Sequence, residues 1–205
     1  MSQKYKMHNK SGVYFVSFAT VNWIDVFTRQ QYFDVLVESV NYCRTNKFME
    51  LYAYCFMPNH ACPERNRRIH LNFKSSNEQP MELLRDFKKF TAKKILEAIT
   101  NNPQESRKEW LLWKLVLSEV ERFEKAGKSN SNITKYQFWQ HHNKPIELWS
   151  ENVVKQKIDY IHNNPVVSGF VTNPIHWKYS SARNFAEDHT VLKIDAIGFV
   201  GITNN

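Results

Sequence analysis

The hydrophobic pattern of the chain switches between strand-like and helix-like segments, and this order constrains the fold more than any other feature. Runs of β-branched and aromatic residues, or strict alternation of apolar residues, predict strands. Apolar residues spaced three and four apart predict helices. We predict strands at Val13–Val21, Leu51–Met57, Arg68–Lys74 and around Gln137–Gln140. We predict helices at Gln30–Lys47, at Met81–Ile99 and from Ser150 to about Asn163, with a further helical stretch at Glu105–Lys125.

The order strand, helix, strand, strand, helix, strand, helix begins with the βαββαβ pattern of ferredoxin-like domains. It predicts an α+β fold, with an antiparallel sheet, helices on one face, and a C-terminal helix and tail. Ser150 is a suitable N-cap for the last helix, and Pro165 is expected to end it. We expect a single domain over residues 1–205, with a core at about 12–165 and an irregular tail at 166–205.

The charge balance favours a polyanionic partner. The chain has 28 Lys and Arg against 20 Asp and Glu, which gives a formal net charge of +8. Such a surplus is typical of proteins that bind nucleic acid. A basic protein-interaction module without DNA activity is the alternative.

The cysteine content and the lack of long apolar runs bear on location. Three cysteines cannot all pair within the chain, so reduced thiols in a cytoplasmic protein are the simplest expectation. The first ten residues lack the apolar stretch of a signal peptide, and no run approaches the length of a membrane span. We therefore expect no membrane association.

Tyr160 and Asn164 form the first pair of candidate functional residues. They are four residues apart, so they share one face of the last predicted helix. The apolar stripe of that helix includes Ile158, and Tyr160 lies about 200° around from it at 100° per residue. Tyr160 is thus predicted to point away from the core beside a polar amide, where its hydroxyl can meet a ligand. An ordinary packed tyrosine is the alternative.

His60 and His70 form the second candidate group. Two imidazoles with an oxygen ligand can hold a divalent metal that polarises a phosphate. Neighbouring metal ligands on a strand are best placed at i and i+2, whereas these two are ten residues apart. Two ordinary surface histidines are one alternative. A zinc site formed by His60, Cys62 and His70 is another, although a fourth ligand is not evident.

A basic helix supplies candidate DNA contacts. Arg85, Lys88, Lys89 and Lys93 lie largely outside the apolar stripe of the helix predicted at Met81–Ile99. Such side chains can contact phosphates or simply form a solvated face. Four aromatic residues can stack on unpaired bases or fill a core: Phe138, Trp139, Trp177 and Tyr179.

Six phrases, in this order and spacing, resemble the REP-associated tyrosine transposases, a family of single-tyrosine HUH transposases. The resemblance runs from about Tyr14 to Phe185. The phrases are YCFMPNH (54–60), IHLNF (69–73), FKKFTAKK (87–94), FWQHHNKPIEL (138–148), DYIHNNPV (159–166) and KYSSARN (178–184).

The resemblance implies a metal-dependent enzyme that binds DNA hairpins and cuts and rejoins single-stranded DNA nearby. It implies that Tyr160 is the nucleophile and forms a 5′-phosphotyrosine intermediate. It implies Mg²⁺ or Mn²⁺ held by His60, His70 and Asn164. The partner is single-stranded or hairpin DNA. The oligomeric state is open, and the tail, which is longer than in the small dimeric relatives, favours a monomer.

One departure from the family pattern separates the two histidines. The family places one apolar residue between them, whereas this chain has the eight residues 61–68 plus Ile69 between His60 and His70. If the strand keeps its register, Arg68 occupies the first histidine's position, and a guanidinium cannot ligate a metal. An impaired relative that binds hairpins without cutting them is therefore the alternative to an active enzyme.

Overall fold

A computed structural model describes residues 7–58, 69–115, 138–140 and 143–197. The strands are β1 (Tyr14–Phe18), β2 (Met49–Phe56), β3 (Ile69–Ser75) and β4 (Ile146–Glu147). The helices are α1 (Gln30–Asn46), α2 (Pro80–Asn101), α3 (described over residues 108–115), α4 (Glu151–Val167) and α5 (Ala182–Phe185). Single 3-10 turns occur at Val21–Trp23 and Pro174–His176. No helix among the described residues is long and apolar enough to span a membrane.

The four strands form one sheet in the order β2-β3-β1-β4, and every neighbouring pair is antiparallel. The central pair aligns Tyr14 with Phe73 and Phe18 with Ile69. Consecutive side chains of a strand point to opposite faces, so each strand contributes to both sides of the sheet. This arrangement confirms the predicted α+β fold with an antiparallel sheet.

Helices α1 and α2 cover one face of the sheet. The residues beneath them are the odd-numbered apolar positions of β3 and their partners on β1 and β2, and burying them stabilises the fold. Helix α1 contributes the stripe that its sequence predicted, with Leu36 and Val40 fully buried. The side chains of this core that the strands supply are Tyr14, Val16, Phe18, Leu51, Tyr54, Phe56, Ile69, Leu71 and Phe73.

Helix α4 lies against the opposite face of the sheet. A second, smaller core forms there from Phe15, Cys55 and Met57 of the sheet side and Val154 and Ile161 of the helix. The sheet is therefore sandwiched between the α1–α2 pair and α4.

The fourth strand lies later in the chain than predicted. Main-chain bonds do join residues 138–140 to the chain beyond β1, with Phe138 accepting from Val21 (2.8 Å) and Gln140 donating to Ala19 (2.9 Å). These form only an isolated bridge, and the regular pairing begins at Ile146. Between them Lys144 has a positive φ of 42° and is followed by a proline, which has no N–H to donate, so the ladder is interrupted.

The prediction that Pro165 ends the last helix is wrong, because α4 continues to Val167. A proline this close to the end removes one helical bond without blocking the final turn. The helix is ended by Gly169, whose φ of 75° suits glycine. Gly169 N donates to Val166 O and Phe170 N donates to Pro165 O, both at 2.9 Å, which is the Schellman arrangement.

In its described part, the tail pairs with β2 through main-chain bonds and is ordered there, rather than irregular as predicted. Phe56 N donates to Tyr179 O and Ser181 N donates to Tyr54 O, both at 2.9 Å. Further along, Asp195 N donates to Leu51 O at 2.7 Å. β2 is the edge strand of the sheet, and these bonds pair main-chain groups that would otherwise be open to other chains.

Candidate active site

Helix α4 places Tyr160 at the margin of its buried stripe. The helix begins at Ser150, whose hydroxyl accepts from Val153 N as the predicted N-cap should. Val154 and Ile161, seven residues apart, are fully buried against the sheet. Tyr160 is rotated by one residue, about 100°, from Ile161, so one edge of its ring reaches the sheet while 41% of the residue stays exposed.

The ring of Tyr160 meets His70 of β3 and Phe15 of β1. The Tyr160 and His70 rings are 5.5 Å apart between centroids and nearly perpendicular, and Phe15 lies 6.0 Å from Tyr160. His70 is fully buried and stacks on Phe15 at 5.8 Å. Residues 90 positions apart in sequence are thus brought together, with an accessible tyrosine above a buried imidazole.

Asn164 follows Tyr160 by one helical turn and is only 3% exposed. Its side-chain nitrogen donates to Tyr160 O at 2.9 Å. This bond identifies the nitrogen of the amide, so the other atom is a carbonyl oxygen able to accept or to ligate. Asn164 is thus fixed to the backbone of Tyr160.

Lys157 is a functional candidate that the sequence interpretation missed. Its amine lies 5.8 Å from the centroid of the Tyr160 ring and 5.4 Å from that of Phe15. No described carboxylate forms an ion pair with it. The signal was its position three residues before Tyr160, which puts both on one helix face.

The remaining predicted metal ligand, His60, lies outside the described residues, as do Cys62 and the insert at 61–68. Within the described part of the chain, no three His, Cys, Asp or Glu side chains are grouped so as to hold a metal. His70 and Asn164 are thus the predicted ligands whose positions the structure describes. His70 contacts the Tyr160 ring from β3, and Asn164 lies on the same helix as Tyr160.

The four predicted DNA contacts lie on α2, on the other face of the sheet from Tyr160. Arg85, Lys89 and Lys93 are exposed. Lys88 is not a free phosphate contact, because its amine donates to Gln140 O (2.7 Å) and Asn143 Oδ1 (2.6 Å). Burial lowers the pKa of Lys88 to about 8, which still leaves it charged at neutral pH.

The aromatic residues considered for base stacking are mostly core residues. Phe138, Trp139 and Tyr179 are all less than a tenth exposed. Trp139 Nε1 donates to Thr91, and Tyr179 stacks on a phenylalanine of α1. Trp177 donates from Nε1 to Phe56 O. The alternative that these residues fill a core is therefore correct for Phe138, Trp139 and Tyr179.

His162 on α4 packs against the C-terminal tail. Its Nε2 lies 2.8 Å from Ser181 Oγ, and its ring contacts Phe185 of α5 at 5.1 Å. Burial lowers the pKa of His162 to about 4. The imidazole is consequently neutral at physiological pH and connects α4 to the tail.

Comparison with known proteins supports this architecture. No family model matches the sequence, and no curated protein does so. A solved structure, described as a REP-associated tyrosine transposase bound to a REP hairpin, matches with a TM-score of 0.59 and 15% identity. The match covers 98% of this chain and 96% of that one. The chain shares the fold of that transposase. At this identity, the match confirms the fold that the sequence phrases implied.

Proposed function

We propose that this protein is a transposase that binds DNA hairpins and cuts and rejoins single-stranded DNA, with Tyr160 as the nucleophile. The observation that carries the proposal is the placement of a 41% exposed tyrosine directly against a buried histidine. An exposed phenol can reach a phosphate, while a buried imidazole beneath it gives a fixed group for stabilising charge. The fold match with a hairpin-bound transposase supports the same assignment.

The proposed reaction is transesterification at a DNA phosphate. The Tyr160 oxygen attacks phosphorus, a bond to phosphorus forms, and the bond from phosphorus to the 3′ oxygen breaks. The phenol proton is lost and a proton is gained by the departing oxygen, so the products are a 5′-phosphotyrosine and a free 3′-hydroxyl. Attack by a different 3′-hydroxyl on the phosphotyrosine reverses the step and joins new strands.

We propose Mg²⁺ or Mn²⁺ as the cofactor. The imidazole of His70 and the amide oxygen of Asn164 are donors that suit such ions, and both lie on elements in contact with Tyr160. His60 would complete the set if residues 61–68 loop out and return it to the site. The metal, when bound, would polarise the scissile phosphate and offset the charge that develops on it.

Lys157 extends the proposed site along α4. Its amine is beside the Tyr160 ring, so it can contact a non-bridging oxygen of a phosphate presented to the hydroxyl. We assign Lys157 to phosphate binding in the reaction.

Hairpin binding would use a different surface. Arg85, Lys89 and Lys93 are exposed on α2, and the net charge of +8 attracts a polyanion. Because α2 and α4 cover opposite faces of the sheet, we propose that these three side chains hold duplex phosphates away from the cleavage site. Lys88 instead has a structural role.

Two alternative functions make different predictions. The insert at 61–68 between the two histidines favours an impaired relative that binds hairpins without cutting. A basic protein-interaction module would show neither property. Salt-sensitive hairpin binding separates the first from the second, and metal-dependent cleavage separates the active enzyme from both.

The test is a cleavage assay on labelled single-stranded DNA that carries the hairpin flanking the protein's own gene. We expect a covalent protein–DNA adduct with Mn²⁺, none with chelator, and none from Tyr160→Phe. Tyr42→Phe is the matched control, because Tyr42 is exposed to a similar extent (47%) on α1. Binding without any adduct would instead support the impaired relative.

A further inference from the structure

Asn72 carries two buried polar atoms that the fold does not satisfy. The residue is fully buried on β3, and neither its side-chain oxygen nor its nitrogen has a hydrogen-bond partner among the described residues. Its cross-strand neighbours are Phe15 on β1 and Ala53 on β2, neither of which offers a polar side chain. Buried amides are nearly always paired, because leaving one unpaired costs free energy. An unsatisfied amide here indicates a partner that the described residues do not supply.

The position of Asn72 suggests what that partner is. It follows His70 by two residues, so both side chains emerge on the face of β3 that meets α4. Residues two apart on a strand are separated by about 6.6 Å, and an imidazole and a carboxamide can both reach an ion between them. The same spacing is the one that suits a pair of metal ligands on a single strand.

A second unsatisfied group lies beside the first. Ser17 is the direct cross-strand partner of His70, and its hydroxyl is buried with no hydrogen-bond partner in the described part of the chain. The side chains directly beside these groups on the same face are apolar and belong to Phe15, Ala53 and Cys55. Polar groups therefore concentrate around His70, close to Tyr160. Packing alone gives no reason for an amide and a hydroxyl here.

We propose that Asn72 is a metal ligand, and that the pair His70 and Asn72 on β3 replaces the histidine pair that the insert separates. The amide oxygen of Asn72 would ligate the ion, and the Ser17 hydroxyl would be available to hydrogen-bond to a water bound there. The inference rests on the proposed metal site at His70. It removes the need for His60 to return to the site. The ligand class is a hard or borderline divalent cation such as Mn²⁺.

Direct measurement of Mn²⁺ binding tests this inference without DNA or catalysis. Mn²⁺ is titrated into the full-length protein and into its variants, and the unbound ion is measured by electron paramagnetic resonance. We expect Asn72→Leu to weaken binding by about tenfold or more. We expect Asn72→Asp, which has the same shape with a stronger oxygen donor, to bind at least as tightly as the unchanged protein. The metal-dependent rise in melting temperature should follow the same order.

The metal-free proteins provide the folding control. Leucine matches asparagine closely in shape and removes the unsatisfied amide, so Asn72→Leu should melt no lower than the unchanged protein without metal. Burying an aspartate without a metal is costly, so Asn72→Asp should melt lower until Mn²⁺ is added. This crossing of stabilities is not expected from a purely structural asparagine.

Two further variants separate the outcomes. If Asn72→Leu binds Mn²⁺ within twofold of the unchanged protein while His70→Ala loses binding, Asn72 is not a ligand and the inference is overturned. If His60→Ala alone also loses binding, the histidine pair is restored by the insert, which likewise overturns it. Binding that survives His70→Ala, or its absence in the unchanged protein, overturns the metal site of the proposed function as well.

Discussion

The amine of Lys88 on α2 donates a hydrogen bond to Asn143 Oδ1 at 2.6 Å. A second bond from the same amine reaches Gln140 O. The lysine thereby joins α2 to the segment that runs from Trp139 toward β4, in addition to the bond from Trp139 Nε1 to Thr91 of α2. Lys88 and Lys89 are adjacent on one basic helix but are expected to have different roles, which separate measurements can distinguish.

Replacing Lys88 should lower stability, whereas replacing Lys89 should lower DNA affinity. Lys88→Met removes two charge-assisted bonds and should cost about 2 kcal/mol or more in the free energy of unfolding. Lys89→Met should change the free energy of unfolding by less than about 0.5 kcal/mol. It should reduce the slope of the logarithm of the hairpin-binding constant against the logarithm of salt concentration by about one. Urea denaturation and binding titrations at several salt concentrations measure both. Loss of DNA affinity without loss of stability in Lys88→Met would contradict the assignment.

Replacing Lys157 should slow cleavage without weakening hairpin binding. Its charge lies beside the proposed nucleophile Tyr160 rather than on α2, so Lys157→Ala should reduce the rate of adduct formation by about a hundredfold. Lys155→Ala is the matched control, because Lys155 is an exposed lysine of the same helix. Equal rates for the two variants would remove Lys157 from the site.

Acidification should destabilise the protein through His162. Its pKa is about 4 in the folded protein and near 6.5 when unfolded, so protons bind the unfolded chain preferentially between these values. The stability contribution is present above about pH 6.5 and falls as the pH is lowered toward 4. Between pH 7 and 5 the loss should be about 2 kcal/mol. Melting curves of the protein and of His162→Gln should converge as the pH falls, and parallel curves would exclude this cause.

Replacing Ser181 should loosen the tail. Its hydroxyl accepts from Tyr54 N at 2.9 Å and contacts His162, so it links β2, α4 and the tail. Ser181→Ala leaves buried polar groups without a partner and should cost about 1–3 kcal/mol. Proteolysis after Trp177 should accelerate to match. Ser11→Ala at an exposed serine controls for loss of a hydroxyl, and unchanged proteolysis in Ser181→Ala would argue that main-chain pairing alone holds the tail.

Periodicity was enough to locate the regular elements because each buries a continuous apolar face. Helix α1 begins at Gln30 as predicted and ends one residue earlier than expected. The pairing of Tyr160 with Asn164 also followed from helix geometry alone. The contact of Tyr160 with His70 required the resemblance, since no local pattern says that a helix near residue 160 crosses a strand near residue 70.

The failures have local physical causes. Pro165 predicts a stop, but the end of α4 depends on the left-handed conformation at Gly169. The sequence predicts an irregular tail because the order of its described part comes from main-chain bonds to β2, which leave no periodic signal. Lys88 resembled its exposed neighbours because its partners, near Gln140, are about fifty residues away.

Tyr160 and His70 belong to the same chain. The segments before and after helix α4 are hydrogen-bonded at opposite edges of the sheet. Before the helix, Leu148 N donates to Val13 O, and after it the tail pairs with β2. An exchange of this helix between two molecules would have to break both attachments. Each molecule therefore holds its own tyrosine over its own histidine. Mixing a Tyr160→Phe protein with a His70→Ala protein should restore no cleavage, because helix α4 of one molecule cannot place its Tyr160 against His70 of the other.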